Sequence, residues 1–241
     1  MKPGKHFKSY SRRLRHKVFR NYFGTVTHFD VNRKVAAITF DDGPHPIYTP
    51  IILKLLQRFD VKATFFVVGV YAKKYPGIIK NISEHGHCIG NHTWDHKLFN
   101  ELSTTQRWSQ VSTCAKYIKP YMSKFFRHPW GKQSHQSRFD TFLFGYDDIG
   151  WNVHANDWDE QDADKMAETL LTSLSPGSIL LLHDNICLPS KKVENQVYEP
   201  RESMITALEY FLIKTFNEYQ FVTIPQLFQT GMPVRGNWID S

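Results

Sequence analysis

From Val35 onward, short apolar runs alternate with stretches of helical periodicity, and this alternation constrains the fold more than any other feature of the 241-residue chain. The runs VAAITF (35–40), KATFFVVG (62–69), HCIGNHT (87–93), KFFRHPW (124–130), DIGWNVH (148–154), SILLLHD (178–184) and FVTI (221–224) read as strands. Between them, YTPIILKLLQRF places apolar residues at 51, 52, 55, 56 and 59, and MITALEYFLIKTF repeats that spacing, as helices covering a sheet do. Ser103 and Gln106 have the capping-box spacing at the head of a further helix. Strands separated by helices imply parallel pairing through crossover connections, hence a doubly wound sheet or a barrel. Seven such units in about 200 residues favour an α/β fold of the second kind, a distorted (β/α) barrel of about seven parallel strands with outer helices.

Composition sets limits on this picture. With 41% hydrophobic and 15% aromatic residues the chain buries the core of one large domain. Cys88, Cys114 and Cys187 are an odd number without CxxC spacing, which fits neither a disulfide framework nor a thiolate zinc cage and leaves buried free thiols as the expectation. The formal charge is +7, yet residues 1–20 hold eight Lys and Arg and no acid, so the rest of the chain is close to neutral. The basic balance therefore describes an N-terminal arm over residues 1–30, followed by one folded domain over 31–241, and gives no reason to expect nucleic-acid binding. The arm reads as a solvated tail, with weak contact to an anionic membrane surface through residues 1–20 as the alternative. No apolar run reaches the roughly 18 residues of a membrane span, and residues 1–23 lack the apolar stretch of a secretory signal. As written, the chain is expected in the cytoplasm, with inner-membrane association as the variant.

Both candidate architectures place active sites at the carboxyl ends of their strands, so the polar residues that end the apolar runs matter most. His92 and His96 are four apart, a spacing that lets two imidazoles on one face of a helical turn share a metal. Among twelve histidines such a pair also arises on ordinary surface. Asp42 alters the balance, because a carboxylate after a strongly apolar strand is costly to desolvate unless a cation compensates it. Two His and one carboxylate suit Zn2+, with Co2+ or another divalent ion as variants, and leave one position open for water. Adjacent Asp41 and Asp42 cannot easily do the same task, so one is expected to bind metal and the other to move protons; the alternative is a turn whose Asp side chains satisfy backbone donors. Trp94, Trp130, Trp151 and Trp158 fall at or near strand ends, where flat rings either stack on sugars or simply pack. His128 and His135 are expected on the surface.

Taken together, Thr39-Phe40-Asp41-Asp42-Gly43-Pro44, His92-Thr93-Trp94-Asp95-His96, Arg127-His128-Pro129-Trp130-Gly131, Asp157-Trp158 and Leu180-Leu181-Leu182-His183-Asp184 resemble, in order, the motifs of the NodB-homology polysaccharide deacetylases, carbohydrate esterase family four. The likeness covers roughly residues 34–230. It implies a divalent metal on Asp42, His92 and His96, Asp41 as general base oriented by Arg127, and His183 as general acid. It also implies an oxyanion donor in the main-chain N–H near Trp130, and a substrate side formed by Pro129, Trp130, Asp157 and Trp158. The reaction so implied is removal of N-acetyl, or another acyl group, from an N-acetylglucosamine-containing glycan. One departure stands out: the fourth motif has His154 where the family places an Asp thought to tune the catalytic His, and a His there lowers that basicity. Asp157 and Asp184 are the candidates to take that place. Two alternatives follow, a deacylase of lipid-linked or nucleotide-linked sugars or small amides at the inner membrane surface, and a catalytically silent glycan-binding protein.

Overall fold

The strand Val35–Asp41 is buried at every position, as a strand covered on both faces must be. The structure, a computed structural model, describes residues 24–187 and 199–236. Along the chain the strands are β1 (Thr25–Asp30), β2 (Val35–Asp41), β3 (Ala63–Val67), β4 (Cys88–Asn91), β5 (Met122–Phe126), β6 (Asp147–Asp148), β7 (Val153–His154), β8 (Ile179–His183), β9 (Gln220–Phe221) and β10 (Met232–Gly236). The helices are α1 (Tyr48–Arg58), α2 (Gly69–Lys74), α3 (Pro76–Glu84), α4 (Thr104–Ile118), α5 (His135–Leu143), α6 (Ala163–Ser173), α7 (Glu202–Thr215) and α8 (Ile224–Thr230). Seven parallel strands in the order β6-β5-β4-β3-β2-β8-β7, with β9 beside β2, form the curled sheet of a distorted barrel. The expected fold is the observed one.

Strand parity divides the core into two layers. Ala36, Ile38 and Phe40 of β2, with Phe65, Leu180 and Leu182, face outward and pack under the apolar stripes of α1 and α7. Val35 and Ala37, with Phe66 and Ile179, face the barrel interior. Thr39 and Asp41 share that inward parity, so the strand delivers a hydroxyl and a carboxylate to the inside of its carboxyl end.

Three sequence expectations are refined. The run 148–154 is not one strand: β6 pairs with β5, β7 pairs with β8, and the chain between them changes partner, Ile149 N–H donating to Phe126 O at 2.9 Å and Asn152 N–H to Ile179 O at 3.1 Å. This short crossing joins the two sheet edges and closes the barrel. At 221–224 only the first residue stays in a strand, because Thr223 and Gln226 form a capping box that starts α8. Finally, β1 falls within the residues read as the arm, yet it pairs antiparallel with β10 and buries Val26 and Phe29, so the folded body begins before residue 30. Gly177, at φ 81°, allows this contact, since a Cβ there would lie 1.9 Å from Phe29 O. The expectation of a solvated tail or a weak membrane contact at residues 1–20 lies outside the described residues. Among the described residues no helix is long and apolar enough to cross a membrane.

Candidate active site

Register brings the strand ends together. Asp41 on β2 stands opposite His183 on β8, and Asn91 on β4 opposite Phe126 on β5, so His92 and Arg127 leave the sheet side by side. Four residues at this rim adopt the left-handed region: Asp42 (φ 71°), Thr93 (φ 70°), His96 (φ 57°) and Trp130 (φ 61°). Such conformations cost of order 1–3 kcal/mol each and persist where the surroundings impose them, commonly at functional sites.

His92 and His96 do meet, but not on a helix. The segment after Asn91 is a loop, and the left-handed Thr93 and His96 fold it back until the two Nε2 atoms lie 3.2 Å apart. Asp42 Oδ1 completes a triangle, 3.3 Å from His92 Nε2 and 3.1 Å from His96 Nε2. Ligands about 2.1 Å from a tetrahedral ion are separated by roughly 3.4 Å, so the triangle has the dimensions of one metal's ligand face. The chemistry of the donors agrees. His92 Nδ1–H donates to Arg127 O at 2.8 Å, which leaves its Nε2 lone pair facing the triangle. Burial lowers the His96 pKa and so favours its neutral ring. Burial alone would raise the Asp42 pKa, but His96 and His92, with His183 further off, hold it well below the carboxylate range. Asp42 Oδ1 is buried and receives no directed hydrogen bond, while Oδ2 accepts the Cys187 N–H at 2.7 Å. An ionised oxygen left in that state invites a cation. Cys187, expected only as a buried thiol, has its sulfur at this site: ligand atoms of Asp42, His96 and Cys187 all lie within 4.8 Å of one another, and the group is able to hold a metal ion.

Asp41 is oriented by a buried cation. Arg127, 1% exposed, donates from Nη1 to Asp41 Oδ1 and to Thr39 Oγ1, both at 2.7 Å. Its Nε and Nη2 donate to Ile149 O at 3.1 Å and Gly150 O at 2.8 Å, in the segment that closes the barrel, and its guanidinium lies over the Phe66 ring. The free Asp41 Oδ2 faces His92 Nε2 at 3.7 Å.

His183 is held by a different buried partner. Its Nδ1–H donates to Asp157 Oδ1 at 3.0 Å and its main-chain N–H to Asp157 Oδ2 at 2.9 Å. Burial opposes the imidazolium, but the Asp157 charge and hydrogen bond, with Asp42 and Asp41 behind them, outweigh it and raise the His183 pKa to about 9. Asp157 was expected either toward substrate or in place of the carboxylate that His154 lacks; it is 1% exposed and turned under His183, as in the second reading. His154 is exposed on β7, its ring 5.5 Å from that of Trp158 and tilted by 30°, so Asp157 and not His154 stands at His183 Nδ1. Asp184 points elsewhere: its Oδ2 accepts from Thr49, and burial raises its pKa to about 7. A Cβ at Gly43 would lie 2.2 Å from that carboxylate, so only glycine fits there.

These groups line a cleft of about 420 Å³. Trp130 and Trp158, 39% and 44% exposed, stand at its mouth, and Trp151, Leu181 and Ile186 supply apolar wall. Pro129 is buried and starts the single turn that carries Trp130; the Trp130 indole N–H donates to His96 O at 3.3 Å. His128, expected at the surface, is 1% exposed, bordered by Phe99 and Phe126 and 3.2 Å from Asp148.

A parallel barrel that gathers a buried group able to hold a metal, an Arg-tethered carboxylate and an Asp-tethered imidazole at one strand rim has the makings of a hydrolytic centre. The chain belongs to the polysaccharide deacetylase family. That family's sequence profile matches residues 29–148. A chitooligosaccharide deacetylase of Azorhizobium caulinodans is 33% identical over 191 residues, 78% of this chain and 90% of that protein. A peptidoglycan-N-acetylglucosamine deacetylase of Bacillus cereus is 34% identical over 207 residues, 83% of this chain and 70% of that protein. Among solved structures, the Bc1960 peptidoglycan N-acetylglucosamine deacetylase, determined with an N-hydroxybenzamide compound, superposes with a TM-score of 0.74 at 29% identity, covering 86% of this chain and 94% of that one.

Proposed function

We propose that the protein is a zinc-dependent N-deacetylase that releases acetate from N-acetylglucosamine units of a chitin-like or peptidoglycan-like glycan. The observation that carries this reading is that Asp41 and His183 share one strand rim with the Asp42–His92–His96 triangle, each fixed by its own buried partner, Arg127 or Asp157. Asp42, His92 and His96 hold the ion, which when bound acts as a Lewis acid toward the amide oxygen and lowers the pKa of water to about 7. Asp41 accepts the proton of the attacking water, its carboxylate plane set by Arg127. The oxygen charge that develops on the amide is met by main-chain N–H dipoles beside Trp130. An amine leaves poorly unless protonated, and His183, with Nδ1 occupied by Asp157, presents Nε2 to the nitrogen. Trp130 and Trp158 flank the sugar at the cleft mouth. The names of the family relatives, chitooligosaccharide and peptidoglycan-N-acetylglucosamine deacetylases, support the N-acetylglucosamine unit as the shared target. A silent binding protein would need no proton-moving pair, and Asp157 supplies the carboxylate that His154 does not.

Exchange of Asp41 for Asn tests the base. Zinc content should stay at one ion per chain while acetate release from N-acetylglucosamine oligomers falls by about 10²–10⁴-fold; undiminished release would refute the assignment.

The pH profile tests the acid. The folded His183 pKa lies above its ordinary 6.5, at about 9, so the protonated donor is present below that value and is lost as pH rises through it. The basic limb of kcat is therefore expected above the pKa of an ordinary imidazole, and Asp157→Asn should move it to lower pH. By the same sign, the His183–Asp157 pair adds stability that is complete below about pH 6.5 and disappears as pH rises through about 9. A basic limb that ignores Asp157→Asn would contradict the role of His183.

A further inference from the structure

Arg201 lies at the start of α7, outside every motif in the sequence, and is 3% exposed. Its Nη2 donates to Asp157 Oδ2 at 2.6 Å and to the Asp157 main-chain O at 2.7 Å. Its Nε donates to His183 O at 3.3 Å and its Nη1 to Pro200 O at 3.5 Å. One guanidinium therefore fastens both the carboxylate that holds His183 and the end of the strand that carries His183.

We infer that Arg201 is a positioning residue for proton donation by His183. An Asp side chain tied only to the imidazole is free to turn about its own bonds. Here the same carboxylate is gripped from behind by Arg201 and from the front by the His183 N–H and Nδ1–H, so its plane has one orientation. That orientation fixes the imidazole ring, keeps the Nδ1–H donating to Asp157 and leaves Nε2 toward the cleft. The bonds from Nη2 to Asp157 and from Nε to His183 O together need a planar fork, which Lys does not have. The inference rests on the deacetylase reading for the identity of the reacting nitrogen, but not for the geometry of the relay.

The distinguishing feature of such a role is leaving-group dependence. An amine requires the proton that His183 supplies, whereas the phenolate of an aryl acetate ester departs without it. Arg201→Met is expected to lower kcat for acetate release from N-acetylglucosamine oligomers by about 10–100-fold, the range seen for outer-shell partners of metal-site ligands, with KM changed less than about twofold. Hydrolysis of an aryl acetate by the same variant should fall less than about threefold, and Arg201→Lys, which keeps the charge and loses the fork, should lie between Met and wild type on the oligomer. Equal losses on the two substrates, or none on either, would overturn the inference. Nitrogen-15 NMR of the imidazole provides a reading independent of substrate: the His183 Nδ1–H signal should be sharp in wild type, present in Arg201→Lys and broadened or lost in Arg201→Met. Should Arg201→Met fail to fold, Arg201→Lys must still show the oligomer-selective loss. A wild type without acetate release but with the expected NMR response would tell against the deacetylase reading alone. An unchanged Nδ1–H signal in Arg201→Met would tell against Arg201.

Discussion

Replacement of Asp42 by Asn is expected to remove bound zinc and to lower acetate release by at least about a thousandfold, equivalent to roughly 4 kcal/mol of transition-state stabilisation. Asn is the informative substitution because Asp42 sits at φ 71°, a conformation that Asn tolerates and Ala does not. The Cys187 N–H still finds an oxygen acceptor in Asn, so the loop that Asp42 anchors through that 2.7 Å bond is retained. What is lost is the ionised Oδ1 that faces both His Nε2 atoms. Metal content after dialysis, measured alongside turnover, separates loss of the ion from loss of the fold. Zinc retained at full occupancy in Asp42→Asn would contradict the ligand assignment.

The second large effect is on stability. Arg127→Met leaves the buried Asp41 carboxylate without its cation and removes donors from Thr39 Oγ1, Ile149 O and Gly150 O. Breaking a buried pair from one side typically costs about 3–5 kcal/mol, a large share of the 5–15 kcal/mol by which domains are stable. Denaturant unfolding should show that loss, and the double variant Asp41→Asn/Arg127→Met should recover part of it, because no uncompensated charge then remains inside. Activity should not recover with it. Additive destabilisation in the double variant would mean that the two side chains do not act as a pair.

The barrel was legible because its strands announce themselves: β2, buried at all positions, is read from VAAITF, and β8 from SILLL. Where such a strand ends in a polar residue, parity and register do the rest, which is why Asp41 and His183 meet on one rim. Loop-borne features were harder to read. The His92–His96 spacing suggested a helical turn, but two left-handed residues produce the same proximity by folding a loop back on itself. Asp157 adjoins a tryptophan suited to sugar, and the sequence left it and Asp184 as equal candidates for the carboxylate beside His183; only the fold separates them. Arg201 and Cys187 reach the site from segments with no periodic pattern, and their roles depend on contacts to residues about 44 and 145 positions away in the chain. His128 was read as surface from its polarity, although aromatic neighbours and Asp148 make its burial tolerable. The antiparallel β1–β10 pair escaped notice because its two strands come from opposite ends of the described chain and gain their order only by pairing.

The central claim, that this rim is a metal-dependent deacetylase centre, is tested most directly by acetate release from N-acetylglucosamine oligomers before chelation, after chelation and after zinc is restored. The expected result is turnover that disappears with the ion and returns at one zinc per chain. Acetate release that persists in metal-free protein, or none from the zinc-loaded wild type on any N-acetylglucosamine glycan, would contradict it.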